Sequence, residues 1–470
     1  MNVFSTPVAD SPGDVLQKHG GHRPNITERP ADKYKALTRN QLEAISEYGN
    51  VTDDDLFAMR VVSAVLPFRT NRYVIENLID WNRIPDDPVY KIVFPQRGML
   101  EDDDFRRIAD LLLREVPVQE VAQAATKIRN RLNPHPAGQQ DLNVPRTDGD
   151  AFEGLQHKYR ETVLFFPSQG QTCHAYCTFC FRWAQFIGEE ELKISSKDAV
   201  GLHRYLAARP DVSDLLITGG DPMIMKTRVM EGYLRRFVDD PALAHVQNIR
   251  IGTKSLTFWP HRFVNDDDAD DLLRLLDDLV RSGRHIAIMA HFNHWQEMRT
   301  DVVHEAIRRI RNTGAVIRSQ APLLARINDN PDVWAQMWRE QVRLGIIPYY
   351  MFVERDTGPR QYFEVPLVRC WETFRGAIQQ VSGLGRTVRG PSMSATPGKV
   401  EVTGVQEVAG EKVFVLRFLQ GRVPDWVGRP FFAKFDPEAT WLDQLEPAFG
   451  QNSFFFEDEL RLLTSKEGLA

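Results

Sequence analysis

The chain has 470 residues, 42% of them hydrophobic and 26% charged, and 58 basic against 64 acidic side chains give a formal net charge of −6. This is the composition of an ordinary globular protein; it excludes collagen-like, coiled-coil and wholly disordered classes and gives no electrostatic reason to expect nucleic acid or an anionic membrane as partner. No apolar run approaches the roughly 20 residues of a bilayer span, no basic-then-apolar leader opens the chain, and four cysteines make no disulfide framework, so a reducing cytoplasm is the expected compartment.

Residues 1 to 33 mix Pro, Gly, His and charge without periodicity and are expected to form a disordered tail outside the fold. Thr38 and Gln41 have capping-box spacing ahead of a helix carrying Leu42, Ile45 and Tyr48. Thr52 and Asp55 begin a second with Met59, Val62 and Leu66, and a third is predicted from Asp102, with Phe105, Ile108 and Leu112 at helical spacing. Residues 34 to 150 therefore read as a helical subdomain, closed by the Pro- and Gly-bearing stretch 133–145. Beyond it six strand candidates, 162–168, 214–218, 248–253, 285–291, 315–320 and 346–353, alternate with amphipathic helices over 197–208, 230–238, 266–282, 304–313 and 332–344. That alternation predicts an α/β domain over 151–400 built on a parallel sheet, doubly wound or curled into an open or closed barrel. Residues 400 to 420 alternate on both sides of Ala409-Gly410-Glu411, which predicts an antiparallel hairpin at the start of a C-terminal extension, 401–470. The Phe- and Trp-rich remainder is expected to be a flap, cover or contact surface.

Three of the four cysteines fall within Cys173-x3-Cys177-x2-Cys180, in the loop after the first predicted parallel strand. Soft thiolates this close in sequence can share zinc or an iron–sulfur cluster. A structural zinc site needs four ligands, yet Cys370 is distant and His174 is the only histidine inside the motif. Three cysteines leave one iron of a 4Fe-4S cluster open, which suits a reactive site better than a structural one.

The cysteine triplet, followed by Gly219-Gly220-Asp221-Pro222 after the second strand, resembles the radical S-adenosylmethionine superfamily. Within it, the runs CHAYCTFCFRW, ITGGDP, RIGTK, AHFNH, RSQAPLLARIND and PYYMFVE are similar in order and spacing to the lysine 2,3-aminomutase family, over about residues 60 to 400. The resemblance implies a partial (β/α)6 TIM-like barrel with an N-terminal helical subdomain and a small C-terminal β-containing extension. It also implies a 4Fe-4S cluster on Cys173, Cys177 and Cys180, whose open iron chelates S-adenosylmethionine, with Gly219, Gly220 and Asp221 against the amino group of that ligand. Pyridoxal 5′-phosphate would sit on Lys399 as the catalytic lysine, with Lys158 and Tyr159 at its phosphate; Thr162 stands where the family pattern carries a further arginine. His291 and Gln320, with Asn293, would be polar contacts to cofactor or S-adenosylmethionine, and Arg182 would bind the substrate carboxylate.

The implied reaction is that of an isomerase, an intramolecular aminotransferase: the α-amino group of an amino acid moves to the β carbon by way of a 5′-deoxyadenosyl radical. Arg355 and Ser392 stand where lysine-acting members carry two aspartates. Arginine repels an ammonium, so an acidic or polar amino acid is expected as substrate in preference to lysine, unless Asp356, one residue along, takes that place. Two other readings stay open at this point: a pyridoxal-independent radical reaction on the same scaffold, and a non-catalytic zinc-binding barrel. The expected partners are a small amino acid and an external electron donor, with neither nucleic acid nor membrane. A homo-oligomer would have to assemble without the C-terminal zinc cysteines of some relatives, since no cysteine follows Cys370. The His291-x2-His294 spacing suggests a metal pair, but packed strand-end histidines are the simpler expectation.

Overall fold

The computed structural model describes residues 33–49, 51–133, 143–147, 150–187 and 194–467, so the expected tail and most of the stretch 133–145 lie outside the described residues. In the N-terminal part, β1 (Ala36–Thr38) pairs with β2 (Arg69–Asn71), and helices follow at 42–46, 53–65, 72–77, 88–93, 102–113 and 118–132. Their starts are fixed by side chains that satisfy otherwise unpaired N–H groups. Thr52 accepts from the Asp55 amide at 3.1 Å, Asn71 from Val74 at 3.2 Å and Asp87 from Tyr90 at 2.8 Å. Three of these helices are absent from the sequence reading: Arg72–Asn77 and Pro88–Val93, where six residues are too few for a periodic stripe, and Val118–Leu132, whose buried stripe of Val121, Ala124, Ala125 and Ile128 is half alanine.

After the short pair β3 (Arg146–Thr147) and β4 (Asp150–Ala151), one sheet organises the rest. Its strands are β5 (Leu155–Tyr159), β6 (Thr162–Phe165), β7 (Asp214–Ile217), β8 (Asn248–Thr253), β9 (His285–His291), β10 (Val316–Leu323), β11 (Ile347–Val353), β12 (Arg389–Ser394), β13 (Gly398–Val408), β14 (Glu411–Gly421) and β15 (Pro430–Lys434), laid side by side in that order. β6 to β12 run parallel, with β5 antiparallel at one edge and β13 to β15 antiparallel at the other. The sequence reading finds six of the parallel strands; the seventh, β12, escapes it because RGPSMS carries no β-branched residue. The hairpin is observed, but it begins at Gly398. Lys399 therefore sits on a strand, one residue before the predicted start of the hairpin at 400, paired with Ser394 and Gln420.

Along β8 and β10 burial alternates: Ile249, Ile251 and Ile317 are buried against the helices, whereas Arg250 and Arg318 on the other face are only partly buried. A single contact shows how that second face is used. Lys158 on β5 donates to the carbonyl of Ala395, just beyond β12 and seven strand steps away. In a flat sheet at about 4.8 Å per step the two would be ~34 Å apart, far beyond the reach of a lysine. The sheet is therefore wound until its ends face each other across a lumen, and the second face lines it.

The N-terminal helices form a second core, shared with the loops that leave this sheet. Val62, Val65, Ile92 and Ile108 pack in one cluster with Ala175, Phe179 and Trp183 of the cysteine loop and with Phe258 and Leu324 beyond β8 and β10. Asn71, fully buried, donates to the carbonyls of His174 at 3.1 Å and Phe258 at 2.9 Å. Asn71→Ala would leave the Phe258 carbonyl and the Val74 amide without their partner, while the His174 carbonyl keeps the Tyr34 hydroxyl, and is expected to lower the unfolding free energy by about 2–4 kcal/mol. This would be read as a shift of the denaturant midpoint at unchanged slope.

Candidate active site

The cysteine loop leaves β6 and is held from two sides. On one, the Tyr176 amide donates to Arg69 O at 2.9 Å, the Thr178 amide to Ile92 O at 2.8 Å and the Thr178 hydroxyl to Lys91 O at 2.7 Å. On the other lies Gly219-Gly220, after β7. Gly219 adopts φ +146°, and a Cβ on Gly220 would come within 2.6 Å of the Thr172 backbone, so only glycine lets the two loops touch. The Asp221 amide closes the contact, donating to Thr172 O at 2.7 Å and Gly170 O at 3.0 Å. Both carboxylate oxygens of Asp221 are occupied. They accept from the Thr253 hydroxyl (2.7 Å), the Met223 amide (2.9 Å), the Lys254 amide (2.9 Å) and the Ser255 hydroxyl (3.1 Å). Asp221 thus braces the loops that end β7 and β8, and any role toward a ligand passes through the glycines it positions.

Cys173, Cys177 and Cys180 are free thiols within electrostatic reach of one another. Burial raises the pKa of all three: Cys173 is pushed well above the usual thiol value, Cys177 strongly up and Cys180 to about 11, the last opposed by the Arg182 N–H. Buried thiolates that repel each other need a cationic centre, and soft sulfur donors facing inward fit an iron–sulfur cluster. A lone zinc fits less well. Among the described residues no three His, Cys, Asp or Glu side chains converge as one ion requires. His174 has its Nδ1 at 3.0 Å from the Ser255 hydroxyl, and Cys370 is buried in the core with its thiol on Val365 O.

Beside the cysteines, Lys254 donates to Glu297 at 2.6 Å and to Asn293 Oδ1 at 2.9 Å, while Asn293 Nδ2 is buried without a partner. His291 sits 2.9 Å from Gln320, and burial with the nearby Lys254 cation lowers its pKa to about 3, so the ring is neutral. His294 Nδ1 accepts from the Gln296 amide at 3.2 Å, and so the two histidines do not form a metal pair.

Lys399 projects over the ring of Tyr350, 4.0 Å from its centroid, with Phe352 at 5.2 Å. No hydrogen bond or ion pair reaches its amine among the described residues. Burial, and then the Arg250 and Arg389 cations, lower its pKa to about 7. Arg250 is itself held by Asp214, at 2.7 and 2.8 Å. Lys158 lies within electrostatic reach of Lys399, Arg422 and Arg355, and burial depresses its pKa strongly; buried Tyr159 shares the Arg422 and Arg355 neighbours.

Arg182 and Arg355 approach one ring, Phe181, at 4.9 and 5.4 Å, and Arg182 also packs on Phe166 at 4.6 Å. Burial lowers the Arg182 pKa to about 10. Arg355 Nε is buried without a hydrogen-bond partner, its closest carboxylate being Asp356 at 3.9 Å. Asp356 lines a small cavity with Glu354, Arg360, Glu364 and Trp441. Ser392 is fully buried, its hydroxyl 3.4 Å from Met351 O, on the sheet face it shares with Lys399.

The structure thus brings together two groups that the sequence singled out separately, the cysteine loop and the lumen around Lys399, and adds Arg250, Arg389 and Arg422 to the second. Arg250 leaves a trace in the sequence, a charge in the middle of a parallel strand where apolar residues are the rule; Arg389 and Arg422 leave none.

No protein-family model matches the chain. It is 28% identical over 393 residues to an Aquifex aeolicus (strain VF5) protein provisionally named L-lysine 2,3-aminomutase, which spans 84% of this chain and 91% of that protein. It is 25% identical over 346 residues to L-lysine 2,3-aminomutase of Bacillus subtilis (strain 168), spanning 74% and 63%. These relatives support the radical S-adenosylmethionine lysine 2,3-aminomutase family for this chain. It is accordingly an enzyme of the isomerase type. Among solved structures, a radical SAM methyltransferase from Sphaerobacter thermophilus aligns at 15% identity over 60% of this chain and 92% of its own, with a TM-score of 0.36, too loose to argue from. Among the described residues no helix is long and apolar enough to cross a membrane.

The lowered pKa of Lys399 has a stability consequence. Its folded value, about 7, lies below the unfolded value near ~10.4, so between the two the unfolded chain binds more protons and stability rises with pH. Lys399→Met is therefore expected to raise the denaturant midpoint at pH 7 and to have little effect at pH 10, as read from parallel unfolding curves.

Proposed function

We propose that the protein is an amino acid 2,3-aminomutase whose substrate carries an acidic or polar side chain. The observation that carries the reading is the pair of guanidiniums, Arg182 and Arg355, that share the ring of Phe181, with Lys158 within electrostatic reach of both Arg355 and Lys399. A substrate with carboxylates at both ends would meet one cation at each through charge-assisted bonds. A lysine side chain would instead bring its ammonium to Arg355.

The cysteine loop would hold the 4Fe-4S cluster, with S-adenosylmethionine on its open iron and Gly219-Gly220 alongside. Cluster and S-adenosylmethionine, reduced by an external donor, supply the hydrogen-abstracting 5′-deoxyadenosyl radical, and pyridoxal phosphate supplies a carbonyl through which nitrogen can migrate. The chain itself binds and orients. Arg182 would fix the α-carboxylate, Arg355 the distal group, and Phe181 and Trp183 would limit water around them. Lys399, close to half deprotonated at neutral pH, has the free amine that a carbonyl cofactor needs. This favours the pyridoxal-dependent reading over a pyridoxal-independent one, which has no use for a lysine held in that state. The bent sheet supports the partial barrel as its scaffold.

Under anaerobic conditions with S-adenosylmethionine and reductant, glutamate or aspartate is expected to give a β-amino product by mass spectrometry, and lysine little or none. Arg355→Gln should lower kcat/KM for the acidic substrate by roughly 10- to 100-fold while leaving iron and sulfide content unchanged. Preferential turnover of lysine by the unaltered enzyme would overturn the substrate assignment.

A further inference from the structure

Thr162 occupies the place where the family pattern has an arginine near the cofactor phosphate, and its side chain cannot stand in for one. It is buried, and its hydroxyl is turned toward Asp214 at 3.3 Å, a carboxylate already committed to Arg250. A second cation arrives from a different part of the chain. Arg422 directly follows β14, whose Gln420 pairs with Lys399. Its Nε donates to Thr396 O at 2.9 Å, its Nη2 to Asn143 Oδ1 at 2.8 Å and its amide to Pro397 O at 3.1 Å. Lys158 bonds the carbonyl of the neighbouring Ala395. The tight turn that leads into Lys399 is thus gripped by Lys158 and Arg422 together, with Tyr159 adjoining both.

We infer that Arg422 completes the phosphate site of this chain, joining Lys158 and Tyr159 in the role that Thr162 leaves empty. The inference rests on the reading of Lys399 as the pyridoxal phosphate lysine. The chemistry favours the position: in pyridoxal phosphate the aldehyde and the phosphomethyl arm are on adjacent ring carbons, so a lysine that takes the aldehyde needs its anion site close by. The turn at 395–397 is such a neighbour, and two cations already flank it. Lys158 has no carboxylate partner among the described residues, and its burial beside the Arg422 and Arg355 cations makes its charged form one that an anion would stabilise. A guanidinium already held by Thr396 O and Asn143 loses little freedom on meeting that anion, and it binds phosphate with a defined geometry. The C-terminal hairpin is then part of the cofactor site as well as an edge to the sheet.

The test uses the full-length protein freed of cofactor and titrated separately with pyridoxal 5′-phosphate and with pyridoxal, which lacks the phosphate. Attachment is trapped by borohydride and mapped to Lys399 by peptide mass spectrometry. Arg422→Gln is expected to weaken pyridoxal 5′-phosphate about 10- to 100-fold and to leave pyridoxal unchanged, with Arg422→Lys recovering part of the loss. Inorganic phosphate should slow attachment of pyridoxal 5′-phosphate to the unaltered protein and have less effect on Arg422→Gln. Equal weakening of both aldehydes would mean that Arg422 only holds the turn, and no change in either would remove it from the site; both outcomes overturn the inference while leaving the Lys399 reading in place. If the unaltered protein attaches neither aldehyde at Lys399, the pyridoxal reading itself fails and takes this inference with it.

Discussion

Positive charge gathered around Lys158 and Lys399, neither with a carboxylate partner among the described residues, is the constraint around which the lumen is organised. The chain as a whole is acidic, with a net charge of −6. Yet Lys158, Arg182, Arg355, Lys399 and Arg422 lie close enough to perturb one another through Lys158 and Arg355. Asp214 compensates Arg250, and Asp356 stands at the edge of reach of Arg355, but Lys158 and Lys399 have no acid of their own among the described residues. Burial, and then the Arg250 and Arg389 cations, lower the Lys399 pKa, and cations held in this way would favour anionic ligands. Aromatic rings take part of the burden: Tyr350 lies under Lys399 and Arg389, and Phe181 between Arg182 and Arg355.

The cysteine loop solves a different problem, that of holding three sulfur donors on a segment with little regular structure. Its backbone groups find partners outside itself, on Arg69, Lys91 and Ile92 on one side and on Asp221 on the other. A loop supported in this way is rigid without being a helix or strand, which suits ligands whose geometry must be set before a cluster arrives. Gly220 allows the backbones to meet, and Asp221, with four donors on its two oxygens, fixes how they meet.

How much of this the sequence discloses depends on how local each feature is. The cysteine triplet and the Gly-Gly-Asp-Pro run were legible because each packs its chemistry into a few consecutive residues, and the helices at 53–65 and 102–113 because Thr52 and the acidic first turns mark where they begin. β12 was hidden by its Gly, Pro and Ser content, since its pairing comes from β11 and β13 and owes little to its own propensity. Lys399 was identified, but its setting was not: a strand position over Tyr350 depends on residues about 50 positions apart. Arg389 and Arg422 join the lumen only because the sheet bends, and nothing in the neighbouring residues announces that. Asp221 illustrates the opposite limit, a residue whose motif was evident but whose oxygens prove to be engaged with the protein.

The outward attachment of the cysteine loop also bears on how the chain matures. Tyr176 and Thr178 are tethered to carbonyls contributed about 90 to 110 residues earlier, and Phe179 and Trp183 belong to the same hydrophobic cluster as the N-terminal helices. The three cysteines therefore reach their final geometry only when that earlier segment has folded against their loop. On the proposed cluster reading, metal incorporation would be a checkpoint on long-range assembly: lesions in the helices at 53–65 or 88–93, remote from any sulfur, would register first as a shortfall of iron.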